Sequence, residues 1–289
     1  MDLFLQFAAP ALAGIFVGVM SGLLGVGGGT IMVPIFRLAF GMSPLASTAT
    51  SLFAIIPTSI SGVASHMRAK TCVPKLGVAL GIGGALTSPV GVWLASVSPG
   101  WLVIVVAALV VGLSAYKMFK KAIKAPRVAL SCRKAHTADA AATGALADAS
   151  EPASSNPIPA QPNLTRKHYL QGAGIGLVAG LASGYVGVGG GFIMVPMMLA
   201  ILSIPMSLAA GTSLIAIMIL AIPGVIEQAI LGNINYFAGI SIVVGTIPGA
   251  VIGARLVRVI PERQLRFAFG GFLLVAAVLL MLNEFGILG

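Results

Sequence analysis

The chain has 289 residues, of which 8% are charged and 58% are hydrophobic, and its mean hydropathy is +1.04. Ordinary soluble domains carry about 25% charged residues, so the composition excludes a soluble globular protein. The net charge of +10 could suggest nucleic-acid binding. However, the basic residues gather in loops between apolar runs, which is typical of membrane topology. Several of these runs exceed the roughly 20 residues that a helix needs to cross a bilayer, and their continuity predicts helices.

The chain begins with MDLFLQFAAPALAGIF, which is predicted to be a retained first helix. Asp2 stands where a cleaved signal peptide would have Lys or Arg, and the apolar pattern continues past it. Cys72 and Cys132 belong to no CxxC or Cys/His cluster, so we expect free thiols and no metal site. We also find no Ser/His/Asp arrangement or carboxylate pair, and therefore expect neither enzyme activity nor a cofactor.

One long motif occurs twice. SGLLGVGGGTIMVP at Ser21–Pro34 returns as SGYVGVGGGFIMVP at Ser183–Pro196, an offset of 162 residues that continues downstream without a gap. The pattern predicts two membrane repeats, at 1–120 and 166–289. Between them, residues 121–165 are rich in Ala, Ser and Pro and cannot bury enough apolar surface to fold, so we expect a flexible linker.

Each repeat contains five apolar segments, which predicts an all-α polytopic membrane protein. In the first repeat the segments are 8–25, 30–42, 47–66, 74–96 and 101–119. In the second repeat they are 168–187, 192–203, 208–230, 236–257 and 264–284. The first two segments of each repeat are short and joined by the glycine run, so they form either a re-entrant hairpin or two spans. Either arrangement returns the chain to the side from which it started.

Charge fixes the expected topology. Sixteen of the seventeen Lys and Arg residues lie in three regions: 66–75, 117–167 and 255–266. The positive-inside rule places these regions in the cytoplasm and both termini outside, in a multi-pass protein of the cell membrane (in bacteria, the inner membrane). The basic 66–75 loop aligns with the uncharged loop at 228–237, and the uncharged loop around 93–104 aligns with the Arg-rich loop at 255–266, so equivalent loops exchange their basic charge. This exchange predicts that the two repeats are inverted relative to each other.

Inverted repeats with broken helices are typical of secondary transporters, whose substrates bind where the discontinuous helices meet. Glycine permits the non-helical backbone of such a break, and the start of the helix that follows attracts anions. The predicted substrate-binding residues are therefore the two glycine runs, the residue after the first run, and the Thr-Ser pairs of the next helices. They are Gly25, Gly27, Gly28, Gly29, Thr30, Thr50, Ser51, Gly187, Gly189, Gly190, Gly191, Thr212 and Ser213. Alternatively, the glycines only allow close helix packing, and the hydroxyls bond their own helix backbone.

Three ionisable residues lie apart from the basic loops. Arg37 is expected near the outer face, where it either attracts an anion in a vestibule or extends to the lipid headgroups. Glu227 either relays protons or is solvated near a helix end. His66 is expected at the membrane interface.

The duplicated GxxSGLLGVGGGxxxVP pattern, the TSL-containing helix and the long central linker resemble the sulfite exporter TauE/SafE family of membrane transporters. The resemblance covers both repeats and implies export of sulfite, a sulfonate such as sulfoacetate, or a related sulfur-containing anion. Copy two has Phe192 where copy one has Thr30, so the two hairpins are not chemically equivalent. The expected partners are a small anion and the lipid bilayer. The alternatives are an anion channel and a membrane scaffold that transports nothing.

Overall fold

The computed structural model describes residues 2–99, 102, 109, 112–116, 118–120, 123, 165–186 and 189–284. Helices and short turns make up this part of the chain, and no strand occurs in it, which confirms the all-α fold. The helices are α1 (Asp2–Leu24), α2 (Gly29–Phe40), α3 (Pro44–Arg68), α4 (Pro74–Val97), α5 (Arg166–Val186), α6 (Gly191–Ile201), α7 (Met206–Ile230), α8 (Tyr236–Leu256) and α9 (Glu262–Glu284). Nearly all of the predicted linker, with Cys132, lies outside the described residues, as does most of the 101–119 segment.

Four of the described helices are long and apolar enough to cross a membrane: α3, α4, α7 and α8. Their outward faces carry large apolar side chains that are mostly exposed within the described part of the chain. Leu86 and Trp93 of α4 are 70% and 64% exposed, and Ile230 of α7 is 81% exposed. A continuous apolar exterior of this kind is stable in lipid and not in water.

Local sequence explains where the long helices begin. Pro44 stands at the first position of α3, where its missing N–H costs nothing, and the Ser43 hydroxyl accepts a hydrogen bond from the Ala46 amide at 3.3 Å. In the second copy the Asn235 side chain caps α8 by accepting from the Ala238 amide at 3.1 Å. These caps set the depth from which each span starts.

The two copies exchange helices. The first helix of copy one, α1, packs along the fourth helix of copy two, α8, and in the same way α5 packs along α4. Glycines line both contacts at four-residue spacing: Gly14, Gly18 and Gly22 in α1, and their equivalents Gly176, Gly180 and Gly184 in α5. A Cβ at any of the six would collide with a carbonyl oxygen of the partner helix. Small residues therefore bring the backbones together, as is common between membrane helices.

The contacts also fix the helix directions. Along α1 and α8, Gly14 meets Ile242 and Gly22 meets Ala250, so these helices run parallel. The equivalent helices α3 and α7 run antiparallel, because Gly62 meets Leu214 while Gly224 meets Leu52.

Most described basic residues gather at one end of the bundle. Helices α3 and α8 run parallel, since Thr58 bonds Thr246 and Thr50 bonds Asn235. The Arg- and Lys-bearing loops that follow these two helices therefore lie at the same end. We call this the basic end, defined by residues 66–75 and 255–266.

We expect Gly18→Ala to destabilise the protein, because the added methyl would lie 2.8 Å from Thr246 Cα and 2.9 Å from the Ala250 nitrogen. The backbone of α8 cannot move aside cheaply, so the cost is about 1–3 kcal/mol. It would be measured as a lower melting temperature in detergent. Gly174→Ala is the matched control, because a Cβ there meets nothing within 4 Å. Equal melting temperatures for the two variants would contradict the packing of α1 on α8.

Candidate functional site

Two hairpins enter the bundle from opposite ends. Helices α1 and α2 form one, entering from the end opposite the basic end, and α5 and α6 form the other, entering from the basic end. The returning helices have only 12 and 11 residues. At about 1.5 Å per residue they are roughly 18 and 16 Å long, and the hydrocarbon core is about 30 Å thick. Both returning helices therefore start near the middle of the bundle.

The glycine runs of the two hairpins meet there. A Cβ on Gly27 would lie 3.0 Å from Ile217 and 3.6 Å from Ile55, and a Cβ on Gly189 would lie 3.0 Å from Ile55. Ile55 and Ile217 lie within one residue of the midpoints of α3 and α7, and both are buried. The runs also touch each other, since a Cβ on Gly191 would lie 2.7 Å from the Gly25 carbonyl oxygen.

Glycine is required in the first run by its backbone conformation. Gly25, Gly27 and Gly28 have φ values of 70°, 80° and 79°, a left-handed region that side chains disfavour. One buried contact stabilises this loop, because the Ser213 hydroxyl of α7 donates to the Gly25 carbonyl at 2.7 Å. Copy two therefore holds the broken backbone of copy one in place.

Helices α2 and α6 both begin at this centre. Their N-caps are Gly28 and Gly190, and neither provides a side-chain cap. The first turn of a helix has amides without intrahelical partners and a positive dipole end. Two such ends approach from opposite sides, and the nearest described neighbours of the two glycine runs are uncharged.

Two of the predicted hydroxyls already bond the backbone. The Thr50 hydroxyl accepts from the Asn235 amide at 3.0 Å, and the Thr212 hydroxyl accepts from the Val73 amide at 3.0 Å. Val73 and Asn235 are equivalent positions of the two copies, so each threonine joins its own copy to the other. Both threonines lie in the helices that flank the glycine runs, and their predicted role in binding stays a prediction.

Other hydroxyls are buried and have no partner. Thr30 and Ser51, both predicted site residues, are 1% and 0% exposed, and their hydroxyl oxygens make no hydrogen bond within the described chain. The same is true of Ser21 and Ser59, which sequence reasoning did not select. Ser21 is the first residue of the duplicated motif, and this position could have identified it as a candidate site residue. Nothing in the sequence distinguishes Ser59 from other helical serines. Predicted Gly187 lies outside the described residues.

His66 lies in the last turn of α3, at the basic end, and its expected position at the membrane interface stays a prediction. Its side chain is fully buried, with Nδ1 2.8 Å from the Thr71 hydroxyl and Nε2 2.8 Å from the Gly22 carbonyl oxygen. Copy two has Gln228 and Asn233 at the equivalent positions, and their side chains also bond each other, at 2.8 Å. These pairs close the turns that follow α3 and α7.

The remaining ionisable residues lie away from the centre. Arg37 is partly buried in the last turn of α2, where a cation complements the negative helix end. Glu227 is partly buried in the last turn of α7. Cys72, in the turn before α4, is 3% exposed, and burial raises the pKa of its thiol. In the described ranges no three His, Cys, Asp or Glu residues are grouped so that they could hold a metal ion.

Comparison with known proteins agrees with the helical architecture. A family model described as "Sulfite exporter TauE/SafE" matches residues 10–280. The probable membrane transporter protein YunE of Bacillus subtilis is 25% identical over 88% of this chain and 89% of its own length. YdhB of the same organism, also named a probable membrane transporter protein, is 26% identical over 92% of this chain and 96% of its own length. No solved structure matches significantly.

We expect Thr212→Val to lower stability by roughly 1–3 kcal/mol, because it leaves the buried Val73 amide without an acceptor. Thr212→Ser keeps the hydroxyl and is the matched control. The melting temperatures of the three proteins in one detergent measure the difference. A valine variant as stable as the parent would show that this hydrogen bond does not join the two copies.

Proposed function

The chain belongs to the sulfite exporter TauE/SafE family of membrane transporters, and we propose that it is a secondary transporter for a small sulfur-containing anion. In this proposal sulfite or a sulfonate leaves the cell through the centre where the two glycine runs meet. The observation that carries it is the convergence of two helix N-termini, α2 and α6, on one buried point. This is an anion-attracting arrangement in a region whose described side chains are uncharged.

The proposal includes inversion of the two repeats in the bilayer. The antiparallel course of α3 and α7 supports it, since equivalent helices of a non-inverted pair would run in the same direction. The exchanged pairs α1–α8 and α4–α5 support it as well. Because α1 is equivalent to α5 and α4 is equivalent to α8, interchanging the two copies converts one pair into the other. Inverted repeats provide two related arrangements of one structure, opening to opposite sides, which is the basis of alternating access.

The proposal treats both hairpins as re-entrant. Helices α2 and α6 are too short to cross the hydrocarbon core, and their glycine runs lie beside Ile55 and Ile217, within one residue of the midpoints of α3 and α7. Irregular backbone at this depth is tolerated because surrounding protein covers it.

The basic end is assigned to the cytoplasm by the positive-inside rule. The inside-negative membrane potential would then assist anion exit by about 2.3 kcal/mol per charge per 100 mV. Export by uniport needs no proton-carrying acid, and both Glu227 and Glu262 lie away from the centre.

Labelling of Cys132 with an impermeant thiol reagent tests this orientation. If the reagent labels Cys132 in intact cells, the basic end faces outward and the assigned orientation is wrong. Buried Cys72 gives a low background, because little thiolate forms at neutral pH when burial raises its pKa.

Packing at the centre favours a carrier over an anion channel. Ile55 and Ile217 are fully buried and lie in contact with the glycine runs of both hairpins, so apolar side chains pack against both runs. A carrier passes through such a closed state, whereas an open channel does not. A scaffold that transports nothing would have no need for broken helices at the centre.

Purified protein in proteoliposomes tests the proposal. We expect saturable movement of radiolabelled sulfite that accelerates when a potassium gradient with valinomycin makes the compartment it leaves negative. Excess unlabelled sulfoacetate or thiosulfate, if also a substrate, should compete, and chloride should not. Protein-free liposomes provide the background. Flux at background level for each of these sulfur anions, from protein that is folded, would refute transport, and flux that does not saturate would favour the channel.

A further inference from the structure

The buried hydroxyls around the centre are distributed unevenly between the two copies. Within the described chain, four hydroxyl oxygens are buried without a hydrogen-bond partner: those of Ser21, Thr30, Ser51 and Ser59. All four belong to copy one. Gene duplication alone would produce equal numbers in both copies, so the difference requires a cause.

The equivalent positions of copy two have either lost the hydroxyl or bonded it. Ser183, the equivalent of Ser21, accepts a hydrogen bond from the Gly190 amide at 2.8 Å. Ser213, the equivalent of Ser51, donates to the Gly25 carbonyl. The equivalents of Thr30 and Ser59 are Phe192 and Ala221, whose side chains are 0% and 1% exposed.

Two of the four hydroxyls lie at the start of α2. Thr30 lies in its first turn, and the Ser21 Cβ lies 3.6 Å from where a Cβ on Gly28 would stand. Ser59 lies at the same level of the bundle, because its neighbour Thr58 and Gly18 of α1 both contact Thr246, and Gly28 contacts Val17 beside Gly18. Ser51 and Ser59 lie one turn before and one turn after Ile55, so they share the helix face that contacts the glycine runs. Because Ser183 bonds the amide at the start of α6, a serine at this position can reach the helix start.

An unpaired buried hydroxyl in a helix is unusual, because the carbonyl four residues earlier is normally available. Thr58, Thr212 and Ser241 make this bond, at 2.7, 2.6 and 2.8 Å. Ser51 and Ser59 occupy the same kind of position without making it. Their donors therefore remain available to an acceptor that enters the centre.

Resting on the transport function proposed above, we infer that copy one alone provides the side-chain donors that bind the anion. Ser21, Thr30 and Ser59 donate to its oxygens, and the start of α2 provides the electropositive end. Ser51 lies two turns from Ser59, about 12 Å along α3, which is too far to bind the same small anion. The hairpin of copy two has a structural role. Ser183 bonds the Gly190 amide at the start of α6, and the Phe192 side chain fills the space that corresponds to that of Thr30. Several donors around one point suit an oxyanion with three or four oxygens better than a halide, which has no separate acceptor atoms.

Matched serine variants test this division. Ser21→Ala should raise the KM for radiolabelled sulfite in proteoliposomes by about tenfold or more, since it removes one donor to a charged ligand. Its melting temperature should stay unchanged or rise, because the hydroxyl has no partner to lose. Ser183→Ala should do the opposite, lowering the melting temperature through loss of the Gly190 bond while KM stays unchanged.

Ser59→Ala and Thr30→Val extend the test at positions where folding is protected. Alanine already stands at the equivalent of Ser59 in copy two, so this variant should fold and still raise KM. Thr30→Ser should restore the KM that Thr30→Val raises. Unchanged KM in the Ser21 and Ser59 variants, or equal increases in the Ser21 and Ser183 variants, would overturn the one-sided site while leaving transport itself in place. Background flux of sulfite, sulfoacetate and thiosulfate alike in the folded parent protein would instead overturn the transport function.

Discussion

Backbone contact between small residues holds the two copies together. Lipid tails are as apolar as leucine, so no hydrophobic force drives helices together within a membrane, and close van der Waals packing must do so. The glycines of α1 and α5 meet carbonyl groups of α8 and α4 at each successive turn. This exchange joins the first helix of each copy to the fourth helix of the other. Once both pairs are formed, the glycine runs that follow α1 and α5 lie at the centre between α3 and α7.

The glycine runs at that centre are stable because buried serines bond their backbone groups, one from the other copy and one from the same copy. A broken helix inside a membrane leaves backbone groups unpaired, and each costs several kcal/mol in hydrocarbon unless it finds a partner. Ser213 provides one for Gly25, and Ser183 provides one for Gly190. Thr50 and Thr212 lie further from the glycine runs and bond amides of the opposite copy. The remaining polarity, in the helix starts and the unpaired hydroxyls of copy one, is the part available to a substrate.

The sequence predicted elements well and contacts poorly. Apolar run lengths placed a helix at 47–66, and the structure extends it to Pro44–Arg68 because Ser43 and Pro44 provide a cap that a hydropathy pattern does not register. Repeat alignment identified the glycine runs, since an exact offset of 162 residues needs no structural knowledge. The exchange of helices between copies could not be predicted, because the four-residue spacing of the glycines indicates a close helix contact but not which helix makes it. For the same reason a threonine that bonds a distant amide, such as Thr212, looked identical in sequence to one free to bind a ligand.

The central claim is that the anion binds where the two glycine runs meet, and selenite tests it most directly. Selenite has the shape and charge of sulfite and carries a heavy atom whose anomalous scattering locates it in a crystal. We expect one selenium peak between the runs near Gly27, with selenite oxygens about 2.7–3.2 Å from the donors at the start of α2. A peak confined to the basic end, or no peak at a concentration that saturates transport, would contradict the account.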